Sequence, residues 1–398
     1  MKEGPLHIAV VIERFDPHAG GAERSTAQIA KELTQRGHRI TILTGSSPLE
    51  VQEDLPAGVE VVSLSQNKKS SSALRLLRFS RWAKEQLEQG GFDTSLSVTM
   101  AVPARVLQPR GGTVRETLER NIALRPSLTG RAFKRLMARL DPKQRLLLSL
   151  EQRNLADPRV HKIVAVSRYV SQQLQKHYGI DAARIECIPN AAVMPQADEQ
   201  LKQAWRQQVR ESFRVPQEAT AYLFAAQNPR LKGFEPLLAA TKRLVDQGHQ
   251  PVLLLAGSFW HGHQAQVEAM GLRDQVRFVR QTRQMPALYA AADVTVLPTF
   301  YDPASKVVIE SLMMGTPAIS TAYNGASDFL APESGPLRGR VIADPADVDA
   351  LASAMAELAD PQARSQCRSA MVGLGEALSM TRHVDRLEAV LRHAAEGE

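Results

Sequence analysis

A complete βαβ unit is written in residues 7–44, HIAVVIERFDPHAGGAERSTAQIAKELTQRGHRITILT. Residues 7–12 form a short apolar run that predicts a buried strand, and residues 16–21 predict a loop because they are rich in Pro and Gly. Residues 23–36 then carry apolar side chains at helical spacing, and residues 40–44 predict a second strand. Strand, glycine loop, helix and strand in this order predict a parallel sheet with helices on both faces.

The same alternation continues along the chain and restarts after a weakly structured stretch near residue 190. Further strands are predicted at 59–64, 94–99, 162–166, 221–226, 251–256, 276–279, 294–297 and 318–320, with a helix at 236–247. We therefore expect two α/β domains, residues 1–190 and 191–377, with a last helix at about residues 378–398 that packs back on the first domain. Doubly wound sheets bind ligands at the carboxyl ends of their strands, so we expect a cleft between the two domains to be the active site.

Composition narrows the class of protein. At 398 residues, with 43% hydrophobic and 23% charged residues, the chain is long enough for two ordinary globular domains. Only two cysteines occur and no CxxC pair, which favours a reducing compartment and argues against structural zinc. The N-terminus does not resemble a signal peptide, and no apolar stretch approaches the ~20 residues that span a bilayer. We expect a cytoplasmic protein, soluble or at the inner face of the membrane.

Positive charge is concentrated in one segment. The whole chain carries +7, whereas residues 105–145 hold 11 basic and 3 acidic residues, a net of +8. Such a segment favours a polyanion such as a phosphorylated glycolipid, an anionic bilayer or nucleic acid, and a solvated basic face is the plain alternative. Nucleic acid fits poorly, because only 5% of residues are aromatic and no recognition motif is present.

The stretch YDPASKVVIE, residues 301–310, carries the strongest chemical signal. It follows a predicted strand, with Asp302 at the position of a helix N-cap and Pro303 at the first helical position. The amides of residues 304–306 would then form an anion site at the helix N-terminus. Glu310 lies about two turns further on and could grip adjacent hydroxyls, as on a ribose. A capped helix with an incidental glutamate explains the same residues equally well.

Two weaker signals follow the first strand of each domain. NPRLKG, residues 228–233, places Arg230 and Lys232 beside a glycine, which suits a diphosphate, although solvated turn cations are the simpler explanation. Gly20 and Gly21 would allow a substrate close to the N-terminus of the first helix. Their spacing does not match the dinucleotide-binding pattern GxGxxG.

Taken together, these segments resemble the retaining glycosyltransferases of family 4, with the GT-B fold of two facing Rossmann-like domains. The resemblance spans nearly the whole chain and rests on Gly20-Gly21, Val166-Ser167, Ile188-Pro189-Asn190, Arg230 with Lys232-Gly233, residues 291–298 and residues 302–310. Within the family, the phosphate-loop pattern at residues 228–233 is most similar to that of the lipopolysaccharide core glucosyltransferase I branch. The resemblance implies transfer of a hexose from a nucleotide-sugar such as UDP-glucose to a lipopolysaccharide-core or other anionic glycolipid or glycan acceptor.

The resemblance also implies roles for single residues. Arg230 and Lys232 would bind the donor diphosphate and stabilise the leaving group in place of a divalent metal. No metal site and no cofactor are therefore expected. The amides near Ser305 and Lys306 would contact phosphate and sugar hydroxyls, and Glu310 would hold the ribose. The remaining implied donor contacts are Gly20 and Gly21.

Two departures from the family pattern bear on the site. Asp302 stands where the family usually has Glu, so it is either a catalytic carboxylate or only a helix cap. Asn190-Ala191 replaces the usual Asn-Gly. For the acceptor, we assign Arg110, in the region where relatives use a histidine, and Arg24. A structural arginine at the sheet end is the alternative for Arg110.

Two stretches, residues 131–140 and 74–82, have apolar residues on one helical face and cations on the other. Basic amphipathic helices can lie in an anionic membrane interface, but they more often pack their apolar face on their own domain. Other functions on the same architecture also remain open: a non-catalytic module that binds a nucleotide-sugar or polyanion, a sugar-nucleotide epimerase, or a phosphorylase.

Overall fold

The computed structural model describes residues 4–16, 21–46, 58–64, 70–125, 127–279, 282 and 284–397. The chain divides into two compact units. Unit 1 comprises Met1–Ala191 together with Ser379–Glu398, and unit 2 comprises Ala192–Leu378. No helix in the described ranges is both long enough and apolar enough to span a membrane.

Each unit holds a parallel sheet, as the βαβ pattern predicts. In the described residues, unit 1 has seven strands in the order β3-β2-β1-β4-β5-β6-β7. Their bounds are β1 His7–Ile12, β2 Arg39–Thr44, β3 Val59–Ser63, β4 Thr94–Ser97, β5 Val106–Leu107, β6 Lys162–Ala165 and β7 Ile185–Cys187. Among its described residues, unit 2 has six strands in the order β10-β9-β8-β11-β12-β13. Their bounds are β8 Thr220–Ala226, β9 Pro251–Gly257, β10 Val276–Val279, β11 Val294–Val296, β12 Ala318–Thr321 and β13 Gly339–Ile342.

Helices connect these strands. Those of unit 1 are α1 Gly21–Gln35, α2 Ser72–Gln89, α3 Val114–Ala123, α4 Leu128–Leu140, α5 Pro142–Leu155, α6 Arg168–Tyr178 and the last helix, α16 Met380–Glu396. Those of unit 2 are α7 Glu199–Ser212, α8 Phe234–Asp246, α9 His261–Ala269, α10 Met285–Ala291, α11 Lys306–Met313, α12 Ser327–Leu330, α13 Val348–Glu357, α14 Pro361–Ser369 and α15 Leu374–Ala377. The ten strands predicted from the sequence are present with ends shifted by at most two residues, whereas β5, β7 and β13 were not predicted.

The continuous apolar runs of the central strands arise because both faces of each sheet are covered. In β1, Ile8 and Val10 point into a cluster with α1 and α16, whereas Ala9 and Val11 point into a cluster with α2. Both sets are fully buried. A run without polar alternation is therefore what this sheet requires.

The last helix belongs to unit 1 although its sequence follows unit 2. Met380, Val384, Leu387 and Leu391 of α16 are buried in the same cluster as the strands of unit 1. Their spacing of three and four residues forms one helical stripe. The chain therefore returns to its first sheet at residue 379.

The two amphipathic stretches behave differently. In α2, Leu76, Phe79 and Ala83 are fully buried, so this helix packs on its own domain. In α4, by contrast, none of the described residues is buried. Its apolar residues Phe133 and Leu140 are 65% and 62% exposed. The basic helix at residues 131–140 therefore presents its apolar side to solvent.

Candidate functional site

Three neighbouring strands of unit 2, β8, β11 and β12, end at the same edge of the sheet because they run parallel. Their following loops contain residues 227–233, 297–305 and 322–326. This edge is where doubly wound sheets bind ligands. The two strongest sequence signals of unit 2, residues 228–233 and 301–310, both lie here.

Buried Thr299 joins the first two of these loops. Its Oγ1 lies 3.2 Å from the carbonyl oxygen of Leu231 and 2.9 Å from that of Tyr301. The amide of Phe300 also donates to Leu231, at 2.9 Å. On the other side, the hydroxyl of Thr321 donates to the carbonyl of Thr299 at 2.6 Å. The backbone of the site is thus held by one buried hydroxyl and its neighbours.

Asn324 joins the second loop to the third. Its Nδ2 donates to Ser320 Oγ at 2.8 Å, and its Oδ1 accepts the amides of Ser305 at 3.2 Å and Ala326 at 3.0 Å. The amide is 2% exposed, so its hydrogen bonds are made away from water. Sequence reasoning assigned no role to Asn324 or Thr299, and the only signal was their place just after predicted strands.

Lys232 and Asp302 meet at this edge. The ammonium of Lys232 lies 2.6 Å from Asp302 Oδ2 and 3.1 Å from the carbonyl oxygen of Tyr301. Both side chains are mostly buried, with 20% and 15% exposed. Arg230 of the same loop is exposed. The structure therefore brings Lys232 and Asp302 together in an ion pair and leaves Arg230 at the surface beside them.

Gly233 has a structural role as well as the predicted one of allowing close approach. Its φ is +86°, and a Cβ built at this position would lie 2.0 Å from the carbonyl oxygen of Pro298. Any side chain there would push the first two loops apart. The glycine is therefore needed to bring Lys232 against the loop that holds Asp302.

The predicted helix start in residues 301–310 is wrong by three residues. Helix α11 begins at Lys306, and Ser305 is the N-cap. Asp302 accepts the amide of Ala304 at 3.2 Å from within the preceding loop, while the amide of Ser305 donates to Asn324. Asp302 is thus not the N-cap, and Pro303 is not the first helical residue. The amides of Ala304 and Ser305 are used inside the protein, so the N-terminal amides of α11 are those from Lys306 onward.

Glu310 lies in the second turn of α11 and is held by a residue that the sequence did not single out. The hydroxyl of Tyr289 in α10 donates to Glu310 Oε2 at 2.8 Å. Burial, together with the charge of Glu310, raises the pKa of this tyrosine well above its ordinary value, so it stays a donor. Asp302 lies outside this helix, so Asp302 and Glu310 do not share one helical face.

Unit 1 holds the remaining predicted site residues. Gly20 lies outside the described residues, whereas Gly21 is the first residue of α1 and Arg24 lies exposed in its first turn. Arg110 follows β5, and its Nε donates to Gln108 Oε1 at 3.0 Å. Its Nη2 is buried and has no hydrogen-bond partner among the described residues. Burial lowers the pKa of Arg110 to about 10, which leaves it charged at neutral pH.

A short relay orients Arg110. Gln108 is fully buried, and its Nε2 lies 3.3 Å from His383 Nε2 in α16. The other ring nitrogen of His383 lies 2.7 Å from the carbonyl oxygen of Pro189. That carbonyl can only accept, so His383 donates from Nδ1 and accepts from Gln108. The arrangement fixes the Gln108 oxygen toward Arg110.

One group in the described residues has potential metal-ligand atoms close together, namely Glu116, Glu119 and His177, whose atoms lie within 4.8 Å of one another. Both carboxylate oxygens of Glu116 already have partners, Arg120 at 2.7 Å and His177 at 2.6 Å. The Oε1 atom also accepts the hydroxyl of Tyr169 at 2.9 Å, so both lone pairs of this oxygen are occupied within the protein.

Comparison with protein-family models gives two matches. The model described as Glycosyltransferase Family 4 matches residues 19–192, and the model described as Glycosyl transferases group 1 matches residues 206–371. The two matches lie one in each unit except for residue 192. The second covers all of the unit 2 segments that form the site.

Curated relatives and solved structures give the same picture. Lipopolysaccharide glucosyltransferase WaaG of Escherichia coli (strain K12) is 21% identical over 354 residues, 85% of this chain and 85% of that protein. The crystal structure of WaaG, a glycosyltransferase involved in lipopolysaccharide biosynthesis, has a TM-score of 0.77 at 19% identity and covers 96% and 99% of the two chains.

Two further structures share the fold along nearly the whole chain. Sucrose-phosphate synthase from Thermosynechococcus elongatus has a TM-score of 0.74 at 19% identity, covering 98% of each chain. Anabaena HepE in complex with UDP-glucose has a TM-score of 0.65 at 17% identity, covering 98% and 100%. At these identities the likeness concerns the fold.

Proposed function

Because the chain belongs to the family 4 glycosyltransferases and has their GT-B fold, we propose that it transfers glucose from UDP-glucose to an anionic glycolipid of the lipopolysaccharide-core type. The observation that carries the donor half of this proposal is the ion pair of Lys232 and Asp302 at the shared edge of β8, β11 and β12. The printed names of WaaG and HepE support glucose and UDP as donor components.

In the proposed donor complex, Lys232 and Arg230 bind the diphosphate. Phosphate oxygens replace the Asp302 carboxylate as the partner of the Lys232 ammonium, which already lies at the edge of the sheet. The amides of the first turn of α11, which begins at Lys306, add donors at a positively polarised helix end, whereas the amide of the N-cap Ser305 is held by Asn324. Glu310, held by Tyr289, accepts from the ribose hydroxyls.

The chemical step follows from these charges. As the sugar–phosphate bond breaks, negative charge grows on the leaving diphosphate, and fixed cations stabilise it most when they need not reorganise. Lys232 and Arg230 supply this charge in our proposal, so the reaction needs no metal and no cofactor. Asp302, released from Lys232, is then free to accept from a hydroxyl of the donor sugar. The family resemblance implies retention at the anomeric carbon.

For the acceptor we propose Arg110 and Arg24. A buried guanidinium nitrogen without a partner is costly unless a ligand completes it, and an anionic oxygen is the natural acceptor. The relay through Gln108 and His383 holds Arg110 in one orientation. Gly20 and Gly21 complete the proposed donor contacts from unit 1.

We also propose peripheral contact with an anionic membrane through α4. Phe133, Leu136, Met137 and Leu140 repeat at three and four residues and are 43% to 65% exposed. Basic residues flank this stripe at Arg131, Lys134, Arg135 and Arg139. A helix of this kind lies with its apolar face among lipid headgroups. We propose accordingly that the protein acts in the cytoplasm, at the inner face of the membrane.

The donor proposal is tested by thermal shift with UDP, GDP and ADP and with their glucose conjugates, followed by a transfer assay. UDP and UDP-glucose should raise the melting temperature most, and metal chelation should leave transfer unchanged. Stabilisation by a different nucleoside diphosphate would correct the base, whereas no stabilisation by any of them would contradict a nucleotide-sugar donor. Binding without transfer or donor hydrolysis would instead favour a non-catalytic module.

The membrane proposal has a separate test. Sedimentation with vesicles of phosphatidylglycerol and phosphatidylcholine should retain the protein at low salt and release it as salt rises. Leu136→Ser with Phe133→Ser should weaken retention without changing binding of UDP. Equal retention by neutral vesicles, or none by anionic vesicles at low salt, would remove this part of the proposal.

A further inference from the structure

Unit 1 contains a cavity of about 850 Å³ that the proposed donor and acceptor residues do not line. It lies after β4 and β5, at the carboxyl edge of the sheet, where its floor includes Val98 and Met100. Helices α3, α4 and α5 form its walls. We call it the α3–α5 cavity.

The lining is mostly apolar. It includes Leu118 of α3, Met137 and Leu140 of α4, and Leu147 of α5. Some polar residues also line it, and several of their hydrogen-bonding groups are already bonded to the backbone. The hydroxyl of Thr117 donates to the carbonyl of Thr113 at 2.9 Å, and the amide of Asn121 donates to the carbonyl of Thr117 at 2.9 Å. The Asp141 carboxylate caps α5 by accepting the amides of Lys143 and Gln144.

This chemistry suits hydrocarbon better than a sugar or a nucleotide. A polar ligand needs several convergent donors and acceptors, and the polar lining groups named above are already bonded to the backbone. Apolar walls gain from covering methylene groups, because water inside such a cavity finds few partners.

The charged residues that line the cavity are Lys134 and Asp141, and the cavity is continuous with the exposed stripe of α4. Lys134 lines the cavity and has no ion-pair partner among the residues that the structure describes. Met137 and Leu140 belong both to the cavity wall and to the exposed stripe. A chain leaving a lipid surface against α4 would therefore meet apolar side chains all the way into the cavity.

We infer that the α3–α5 cavity binds one hydrocarbon chain of the lipid-linked acceptor, with the anionic headgroup beside Lys134. The inference rests on the proposed transfer to an anionic glycolipid and specifies that the acceptor is recognised by its chain as well as by its glycan. Recognition of the hydrocarbon chain does not depend on the sugar sequence of the acceptor.

The test uses octyl, decyl and dodecyl phosphate below their micelle concentrations, with inorganic phosphate as the headgroup alone, and titrates the full-length protein by calorimetry. Each methylene that enters the cavity should strengthen binding by up to about fourfold. UDP binding is measured on the same samples, so that failure of this inference and failure of the donor proposal give different results.

Two variants narrow the cavity in different ways. Ala138→Trp adds a large side chain from the α4 wall. Gly111→Leu adds one from the floor, where a Cβ meets no heavy atom within 4 Å. Ala156→Trp, at an exposed position at the end of α5 that does not line the cavity, is the matched control. We expect both cavity variants to weaken dodecyl phosphate binding at least about tenfold, while the control and UDP binding stay unchanged.

An alkyl phosphate affinity that does not depend on chain length, or that equals the affinity for inorganic phosphate, would overturn the inference. If UDP still binds in those samples, the donor proposal is unaffected. Equal loss in Ala156→Trp and Ala138→Trp would also overturn it, because the effect would not then come from the cavity. Should Ala138→Trp fail to fold, Gly111→Leu alone decides the outcome.

Discussion

The ammonium of Lys232 lies 2.6 Å from the carboxylate of Asp302, although the two residues are 70 positions apart in the chain. The pair joins the loop after β8 to the loop after β11, both at the carboxyl edge of the sheet. A lysine already placed and partly buried at this edge can bind a phosphate without ordering a long side chain first. The pair also means that a donor diphosphate must compete with Asp302 for the same ammonium.

Replacing Lys232 should remove activity without unfolding the protein. In Lys232→Ala the leaving diphosphate loses a fixed cation, and we expect kcat/KM to fall by about 10²–10³. Steady-state transfer and thermal unfolding measure the two effects. Lys242→Ala removes an exposed lysine of α8 and is the matched control. Near-normal turnover in Lys232→Ala would refute its role in the donor site.

Asp302→Asn should separate donor binding from transfer. Without the carboxylate, Lys232 no longer has a competing partner, so UDP should bind up to about fivefold more tightly. Transfer should nevertheless fall, because the side chain that accepts from the donor sugar in our proposal has lost its charge. Calorimetry with UDP and a transfer assay give the comparison. Unchanged turnover would reduce Asp302 to a structural loop residue.

Tyr289→Phe should act on the donor through Glu310. Loss of the 2.8 Å hydrogen bond leaves the Glu310 carboxylate less well held, and we expect the KM for donor to rise about three- to tenfold with little change in kcat. If Tyr289 had a purely structural role, the variant would have a lower melting temperature without a rise in KM at nearly constant kcat. Adding UDP to both proteins in a thermal-shift titration gives a second readout of the same effect.

Gly233→Ala should destabilise unit 2 by more than a positive φ alone explains. Gly233 and Gly248 have φ values of +86° and +87°, but only at Gly233 would a Cβ clash, 2.0 Å from the carbonyl oxygen of Pro298. Gly248→Ala should cost about 1 kcal/mol, and Gly233→Ala about 2–4 kcal/mol. Denaturant unfolding measures both. Equal losses of unfolding free energy in the two variants would mean that the loop after β11 moves away from the added Cβ without an energetic penalty.

Acid should destabilise unit 1 through Glu388 of α16. Burial alone would raise the pKa of Glu388, but hydrogen bonds from Arg36, His38 and Arg392 outweigh it and lower the pKa to about 2. A carboxyl group whose pKa is lowered by folding stabilises the folded state at pH values above its unfolded pKa of about 4.5. This stabilisation is lost as the pH falls toward 2. The contribution is up to about 3 kcal/mol.

The check is chemical denaturation as a function of pH. Glu388→Gln should lower the free energy of unfolding at neutral pH. It should also flatten the pH dependence of that free energy between the folded and unfolded pKa values of Glu388. Glu60→Gln, which removes an exposed partner of Arg39, should change little and is the control. The same acid slope in wild type and Glu388→Gln would assign the acid effect to other carboxyls.

Local sequence was sufficient to predict most of the architecture. Buried parallel strands need continuous apolar runs, as in β1 and β8, and helices between them show a period near 3.6, so these elements can be recognised from neighbouring residues alone. Strands β5 and β7 hold two and three residues, too few to show any period. Helix α4 shows the limit of periodicity, because its pattern is the same whether its apolar face packs inward or faces solvent.

Sequence also identified Arg230, Lys232, Asp302 and Glu310 as candidates, because cations and carboxylates after strands are visible along the chain. Only the tertiary structure decided how they are held. The partner of Lys232 is 70 residues away, the partner of Glu310 is Tyr289 on another helix, and Asn324 takes the Ser305 amide that local pattern assigned to a ligand. Hydrogen bonds across a sheet edge depend on strand order and not on sequence distance, so chain position alone does not determine them.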